Sequence, residues 1–219
     1  MHITKYIGFS VLLLALLACK TEVENDETNT VIKQSQSNEF QGIEELFDSK
    51  EFEDTSVVSL LKEINICSDA QVDKSGKLVT PCTAENFKFF SLNDNKPLKD
   101  GFILLVKANV GGVPLRRVLV FERENGALIK VNGFIANVIG KRKNAGTNDD
   151  LLLRFIDKIE GSDVYYNCIL KWENNKYVFK TVEVIEEPAG NFRGIVKENV
   201  KDSVSKEIHQ TLVNNNMIF

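Results

Sequence analysis

The chain has 219 residues, 43% of them hydrophobic and 26% charged, with 13 glycines, 4 prolines and a formal net charge of −4. That composition belongs to a globular protein with a full core and excludes a mainly disordered, collagenous or multi-span membrane chain. Its mild acidity also excludes a nucleic-acid partner, because holding a phosphate backbone needs a concentrated basic face.

Lys5 and the amino terminus form a positive start, and an uncharged, mostly apolar run follows from Tyr6 to Ala18. That run has signal-peptide length and is too short to span a bilayer comfortably. It ends in Leu16-Leu17-Ala18-Cys19, which resembles the lipobox of bacterial lipoproteins. In that family the Cys is diacylated and becomes the new amino terminus. The resemblance implies a lipoprotein signal peptide over 1–18, lipidation at Cys19 and the membrane as a partner, each buried CH₂ of acyl chain adding about 0.8 kcal/mol. A plain secretory signal with a coincidental Cys is the alternative. Residues 19–38 are polar and acidic without an apolar period, so they are expected to form a lipidated flexible tether. Lys20 is not the Asp that retains enteric lipoproteins in the inner membrane, and a Lys followed by acids is similar to the surface-export signal of Bacteroidota lipoproteins. A plain solvated spacer explains it as well. The outer membrane is the expected address, on either face.

The remaining chain, 39–219, is expected to fold as one domain. Asn38 and Gln41 resemble a capping pair opening a short helix, with Phe40, Ile43 and Phe47 on one face and Leu46 beside it. A second helix starts near Asp54 or Thr55, where Val57, Leu60, Leu61 and Ile64 follow helical spacing. With Cys19 assigned to lipid, Cys67, Cys82 and Cys168 remain. Cys67 and Cys82 flank a polar loop, and a bridge closing it outside the cytoplasm contributes about 3 kcal/mol. Cys168 alternates with Val164, Tyr166, Leu170 and Trp172 and is expected to be an inert core residue. From Phe87 the period becomes two, giving strands at 87–92, 102–110, 116–124, 127–139, 151–157, 164–172 and 176–185. Asn125-Gly126 is the strongest hairpin signal, 160–163 and 173–175 read as turns, and Gly133 suggests a bulge. A last helix from about Asp202 carries Val204, Ile208 and Leu212. The pattern is α+β, an antiparallel β meander of about six to seven strands, with N-terminal helices and one C-terminal helix packed on it.

Chemistry is bounded mainly by histidine. Beyond residue 18 the chain has one, His209, expected to face solvent from the last helix. Multi-histidine metal centres are therefore excluded, and no phosphate-binding loop or dinucleotide fingerprint occurs, so no metal and no cofactor is expected. A hydrolase of envelope glycans needs only two carboxylates, which Glu122 and Glu124, or Asp149, Asp150 and Asp157, offer. The loop Asp69 to Gly76 has Lys74 where a calcium-binding loop needs Gly, and Asn144, Gly146, Asn148 and Asp149 lack full ligand spacing.

One grouping carries geometry. A two-residue turn at Asn125-Gly126 makes opposed residues sum to 251 and sets Arg116 near Ile135. Lys141, Arg142 and Lys143 then emerge beyond the same end, where the connection Gly111 to Leu115 leads into Arg116 and Arg117. Five cations at one sheet edge suit an anion: a phosphate, a lipid headgroup, an acidic glycan or an acidic protein face. Solvated loop charge paired with Asp149 and Asp150 is the competing reading. Tyr165, Tyr166, Tyr177 and Phe179 form a second candidate, an aromatic platform for a sugar or protein, unless they pack inward. Runs such as Val113-Pro114-Leu115-Arg116-Arg117, Phe121-Glu122-Arg123-Glu124-Asn125-Gly126 and Tyr165-Tyr166-Asn167-Cys168 resemble uncharacterised Bacteroidota-type lipoproteins. That resemblance implies a compartment and no activity. The expectation is a lipid-anchored envelope protein acting as a non-catalytic binding module, with a carboxylate hydrolase or an accessory, immunity-type inhibitor as alternatives.

Overall fold

Alternating strands dominate what the computed structural model describes, which is residues 39–43, 47, 50–69, 76, 80–107, 116–186 and 194–219. Chain contacts separate Met1–Ser35 from Gln36–Phe219, and every described residue lies in the second unit. The signal peptide, Cys19, the tether to residue 38, the loop 70–75 and the connection 108–115 lie outside the described residues. In order come β1 (Gln41–Gly42), α1 (Thr55–Glu63), β2 (Phe87–Ser91), β3 (Gly101–Val106), β4 (Arg116–Glu124), β5 (Ala127–Arg142), β6 (Asp150–Ile159), β7 (Ser162–Glu173), β8 (Lys176–Glu186), β9 (Gly194–Ile195) and α2 (Glu198–Asn214). Strands β2 to β9 neighbour one another in sequence order, and β1 joins β5. Every pairing is antiparallel. The architecture is thus the expected α+β meander, with nine strands instead of six or seven. The two additions are the two-residue strands β1 and β9.

Three tight turns build the long hairpins. Asn125-Gly126, Glu160-Gly161 and Asn174-Asn175 each carry two consecutive residues at positive φ, the backbone that matches strand twist in a two-residue loop. Pairing after the first turn sums to 251 as far as Phe121↔Lys130, then to 252 from Val120↔Asn132. The extra residue is Val131, so the bulge is there and not at Gly133, and Arg116 stands opposite Ala136 instead of Ile135. Gly133 has another task. Its backbone exchanges hydrogen bonds with Ile218 of the C-terminal tail, at 3.3 and 2.9 Å.

Strand β5 changes neighbours midway. Its residues 127–136 pair with β4, and 137–142 pair with β6. Two cores result. Ile103 and Leu105 of β3 point into one with Phe134, Val138, Leu153 and Phe155, which Ile208 and Leu212 of α2 also enter. Phe102 and Leu104 point into the other with Phe87, Phe89 and Phe121, which Val57, Leu60 and Leu61 of α1 cover. All six residues of β3 are buried. Each fully buried Leu, Ile or Phe there contributes about 1.5–3 kcal/mol of transfer free energy. Asp54 caps α1 by accepting from the Ser56 amide at 2.8 Å, and Asn65 at φ 52 ends it. The Cys67–Cys82 disulfide closes the loop after α1, and Cys168 is a buried free thiol, its pKa pushed up by desolvation.

Two expectations are corrected by tertiary contacts. The described residues 39–43 are not the start of a helix: Gln41 and Gly42 pair with Lys141 and Gly140, and the Ile43 amide donates to Ile139 O at 3.2 Å. Strand β4 stops opposite Ala136, which leaves the backbone of β5 beyond it to be satisfied by another strand. A Cβ on Gly140 would sit 2.8 Å from Gln41 O, so the bare backbone permits the approach. His209 does not simply face solvent. Its ring stacks on Phe179 at 5.0 Å and meets Phe219 edge-on at 5.0 Å, because the tail folds back over α2.

Asn132 closes the structure. Its Nδ2 donates to Tyr177 O and Ile218 O, both at 3.0 Å, and its Oδ1 accepts from the Tyr177 amide at 2.7 Å. Substituting Asn132→Leu leaves the buried Tyr177 amide and carbonyl without the Asn132 side chain, while Ile218 O keeps the Gly133 amide, an expected loss of about 3 kcal/mol, read as a lower denaturation midpoint. Burial holds the His209 imidazole below its ordinary range. The unfolded chain therefore takes up that proton first as pH falls through about 6.5. Stability is expected to decline from pH 7 to 5.5, and His209→Phe is expected to flatten that decline in melting curves taken across the range.

Candidate functional site

The basic edge is largely spent on the protein's own acids. Register sets Arg142 opposite Asp150, and their side chains meet at 2.7 Å. Asn144 Nδ2 donates to the same carboxylate at 3.2 Å. Lys141 Nζ pairs with Asp149 at 2.7 Å and donates to Ser91 O at 2.7 Å. Both carboxylates are buried, at 5% and 3% exposure for Asp149 and Asp150, and a buried carboxylate without a partner is expensive. Lys143 reaches Asp94 at 2.5 Å in solvent, which holds the Asp94 carboxyl below and the Lys143 ammonium above their usual ranges.

Arg116 and Arg117 lie elsewhere. Ala136, opposite Arg116, is five residues before Lys141 on β5, about 16 Å of strand. The Arg116 guanidinium lies 5.4 Å from the Phe47 ring, and that of Arg142 lies 4.5 Å from Phe40. Arg117 is exposed. The structure brings Lys141, Arg142 and Lys143 together around three aspartates and leaves the arginine pair apart.

The other sequence candidates scatter. Glu122 pairs with Lys96, Glu124 is exposed beside its hairpin, and Asp157 accepts from the Lys158 amide at 2.8 Å. Tyr166, Tyr177 and Phe179 are core residues, while Tyr165 is half-buried with Arg154 over its ring at 5.9 Å. Among the described residues no three His, Cys, Asp or Glu side chains gather to hold a metal.

What the fold does assemble is a cleft of about 740 Å³ between the loops 93–100 and 143–149, with Trp172 at the end of β7 in its wall. The two loops are laced to each other. The Asp149 amide donates to Leu92 O at 2.8 Å, and Asn93 Nδ2 donates to Asn148 Oδ1 at 2.9 Å. Asn93 Oδ1 in turn accepts from the Asn95 amide at 2.9 Å. Trp172 stands edge-on against its cross-strand partner Tyr177 at 5.0 Å, and Lys96 Nζ lies 6.0 Å from its ring. The Tyr177 hydroxyl donates to Asp149 O at 2.9 Å. Burial raises its pKa well above the ordinary value, with the charges of Asp149, Asp150 and Glu122 adding to the effect. The lining carries Asp94, Asp100 and Asp149 against Lys96 and Lys143, a nearly balanced set.

Sequence reasoning passed over Trp172 and the asparagines at 93 and 95. The available signal was one tryptophan at a strand end, together with two loops rich in Asn and Asp.

Among the described residues no helix is long and apolar enough to cross a membrane. Comparison with protein-family models, curated proteins and solved structures finds no match for this chain.

The pairings distinguish two kinds of cation. Arg142→Ala strands the buried Asp150 and is expected to cost about 3 kcal/mol, whereas Arg117→Glu on the open surface is expected to stay within about 0.5 kcal/mol. Chemical denaturation of both variants measures the difference.

Proposed function

We propose that this chain is a lipid-anchored envelope protein, held at the outer membrane through acylated Cys19, that works as a non-catalytic binding module. Its ligand seat in this reading is the cleft between the loops 93–100 and 143–149. The observation that carries it is the lacing of those loops by Asn93, Asn148 and the Asp149 amide. A cleft ordered in advance spares a ligand the entropy of ordering its walls. The lipobox-like Leu16-Leu17-Ala18-Cys19 and the polar stretch behind it support the anchor and tether.

Binding without chemistry fits the acids present. Asp94 and Asp149 are each tied to a lysine, while acid–base catalysis needs two carboxylates whose environments drive their pKa values apart. The basic run 141–143 serves the fold here, and the near balance of charge in the cleft favours a polar ligand over a strongly anionic one.

The full-length protein in detergent, mixed with solubilised envelope material, is expected to show slowed amide exchange at 93–100 and 143–149. Ala145→Tyr, which narrows the cleft, is expected to abolish that protection. Protection centred on Arg116 and Arg117 would return the ligand to the basic edge, and no protection anywhere would sink the binding reading. Cys19→Ser is expected to release the protein from the membrane fraction.

A further inference from the structure

We infer that the cleft takes a neutral saccharide, an inference that rests on the cleft being the ligand seat. The lining is the first reason. Asn95 and Asn148 bring amides beside Asn93 and Asn144, whose Nδ2 groups already donate to Asn148 and Asp150, and Asp94 and Asp100 bring carboxylates. An amide offers a donor and an acceptor side by side, and a carboxylate offers paired acceptors. Neighbouring sugar hydroxyls, each both donor and acceptor, fill such a set without leaving polar groups unpaired.

Trp172 is the second reason. It is the one large ring in a wall that also carries Pro97 and Ala145 among polar side chains, and Tyr177 and Lys96 approach it before any ligand arrives. A pyranose has an apolar C–H face bordered by hydroxyls, so one ring satisfies both surfaces. An apolar surface with a few convergent polar groups is the general pattern of small-ligand sites, whose usual volumes of about 300–1,000 Å³ include this one.

Charge is the third. Three aspartates and two lysines line the cleft, with Lys143 bound to Asp94 and Lys96 to Glu122. A phosphate or uronate meets the Asp100 carboxylate and two lysines that already hold acids, while Asp149 is held by Lys141. A ligand with hydroxyls and no formal charge avoids both the repulsion and the cost of breaking an ion pair.

The test uses the fact that Trp172 is the chain's single tryptophan, so intrinsic emission reports this wall alone. The full-length protein, in a detergent free of sugar headgroups, is titrated with chitotetraose, cellotetraose and maltotetraose as neutral probes. Tetragalacturonate and inorganic phosphate serve as charged ones. A saturable emission change with at least one neutral probe and with neither charged probe is expected, weakened about tenfold in Asn95→Ala at unchanged melting temperature and lost in Ala145→Tyr. A response to the charged probes alone overturns the inference in favour of an anion. A response that survives Ala145→Tyr overturns the location. Silence toward all three neutral probes, with envelope material still protecting the cleft loops from exchange, overturns the saccharide and leaves the seat standing. If that protection fails too, the reading beneath it falls as well.

Discussion

Three hydrogen bonds from the Asn132 side chain join β5, β8 and the C-terminal tail, and much of the molecule is arranged around them. No strand ladder links β5 to β8, so one buried amide side chain takes the place of a row of backbone pairs. The bulge at Val131 makes this possible by adding one residue and fixing the phase in which Asn132, Phe134, Ala136 and Val138 are all buried. The consequences run outward through Tyr177. Its backbone is held by Asn132, its hydroxyl by Asp149 O, and its ring meets Trp172. The cleft wall is therefore positioned from the core, not from its own loop.

Electrostatics explain why an acidic protein carries the run Lys141-Arg142-Lys143. Asp149 and Asp150 lie where the β5–β6 connection turns back into the sheet, and both carboxylates are withdrawn from water. Burial at that depth demands counter-charges, and the strand opposite supplies them, Arg142 in register with Asp150 and Lys141 diagonally across from Asp149. The cations read as a surface feature only while their partners stay unseen. The Phe40 and Phe47 rings lie near the guanidiniums of Arg142 and Arg116 respectively, so the N-terminal segment packs along both.

What was legible in the sequence follows from locality. Alternation gave β4 at its observed bounds, Asn125-Gly126 gave its turn, and helical spacing gave α1 with a cap at Asp54 or Thr55, of which Asp54 is the one used, because each signal depends on neighbours a few residues away. The pairing of Cys67 with Cys82 was legible for the same reason. The failures depend on distant partners. Val131 bears no mark of a bulge; its position is set by what Asn132 must reach 45 residues later. The segment at 41–42 has helical spacing yet pairs with a strand a hundred positions on, since an open edge outweighs a weak local preference. His209 was misplaced because the covering ring, Phe219, belongs to the tail. The cleft was missed because its asparagines look like ordinary turn residues until Asn93 meets Asn148 across 55 positions.

The place of the cleft bears on how a ligand would act. Strand β5 divides its pairing between β4 and β6 at Ala136 and Asn137, so the loop 93–100 belongs to the sheet before that seam and the loop 143–149 to the sheet after it. Lys141 to Ser91 O, the Asp149 amide to Leu92 O and Asn93 to Asn148 all cross between them. A ligand touching both walls adds contacts across the same seam. At a hundred times its dissociation constant such a ligand contributes about 2.7 kcal/mol to the folded state, comparable to the closure that Asn132 provides. Ligand and closure then act on one equilibrium, the docking of the two parts of the sheet, so weakening Asn132 should weaken the cleft's affinity even though that side chain never reaches it.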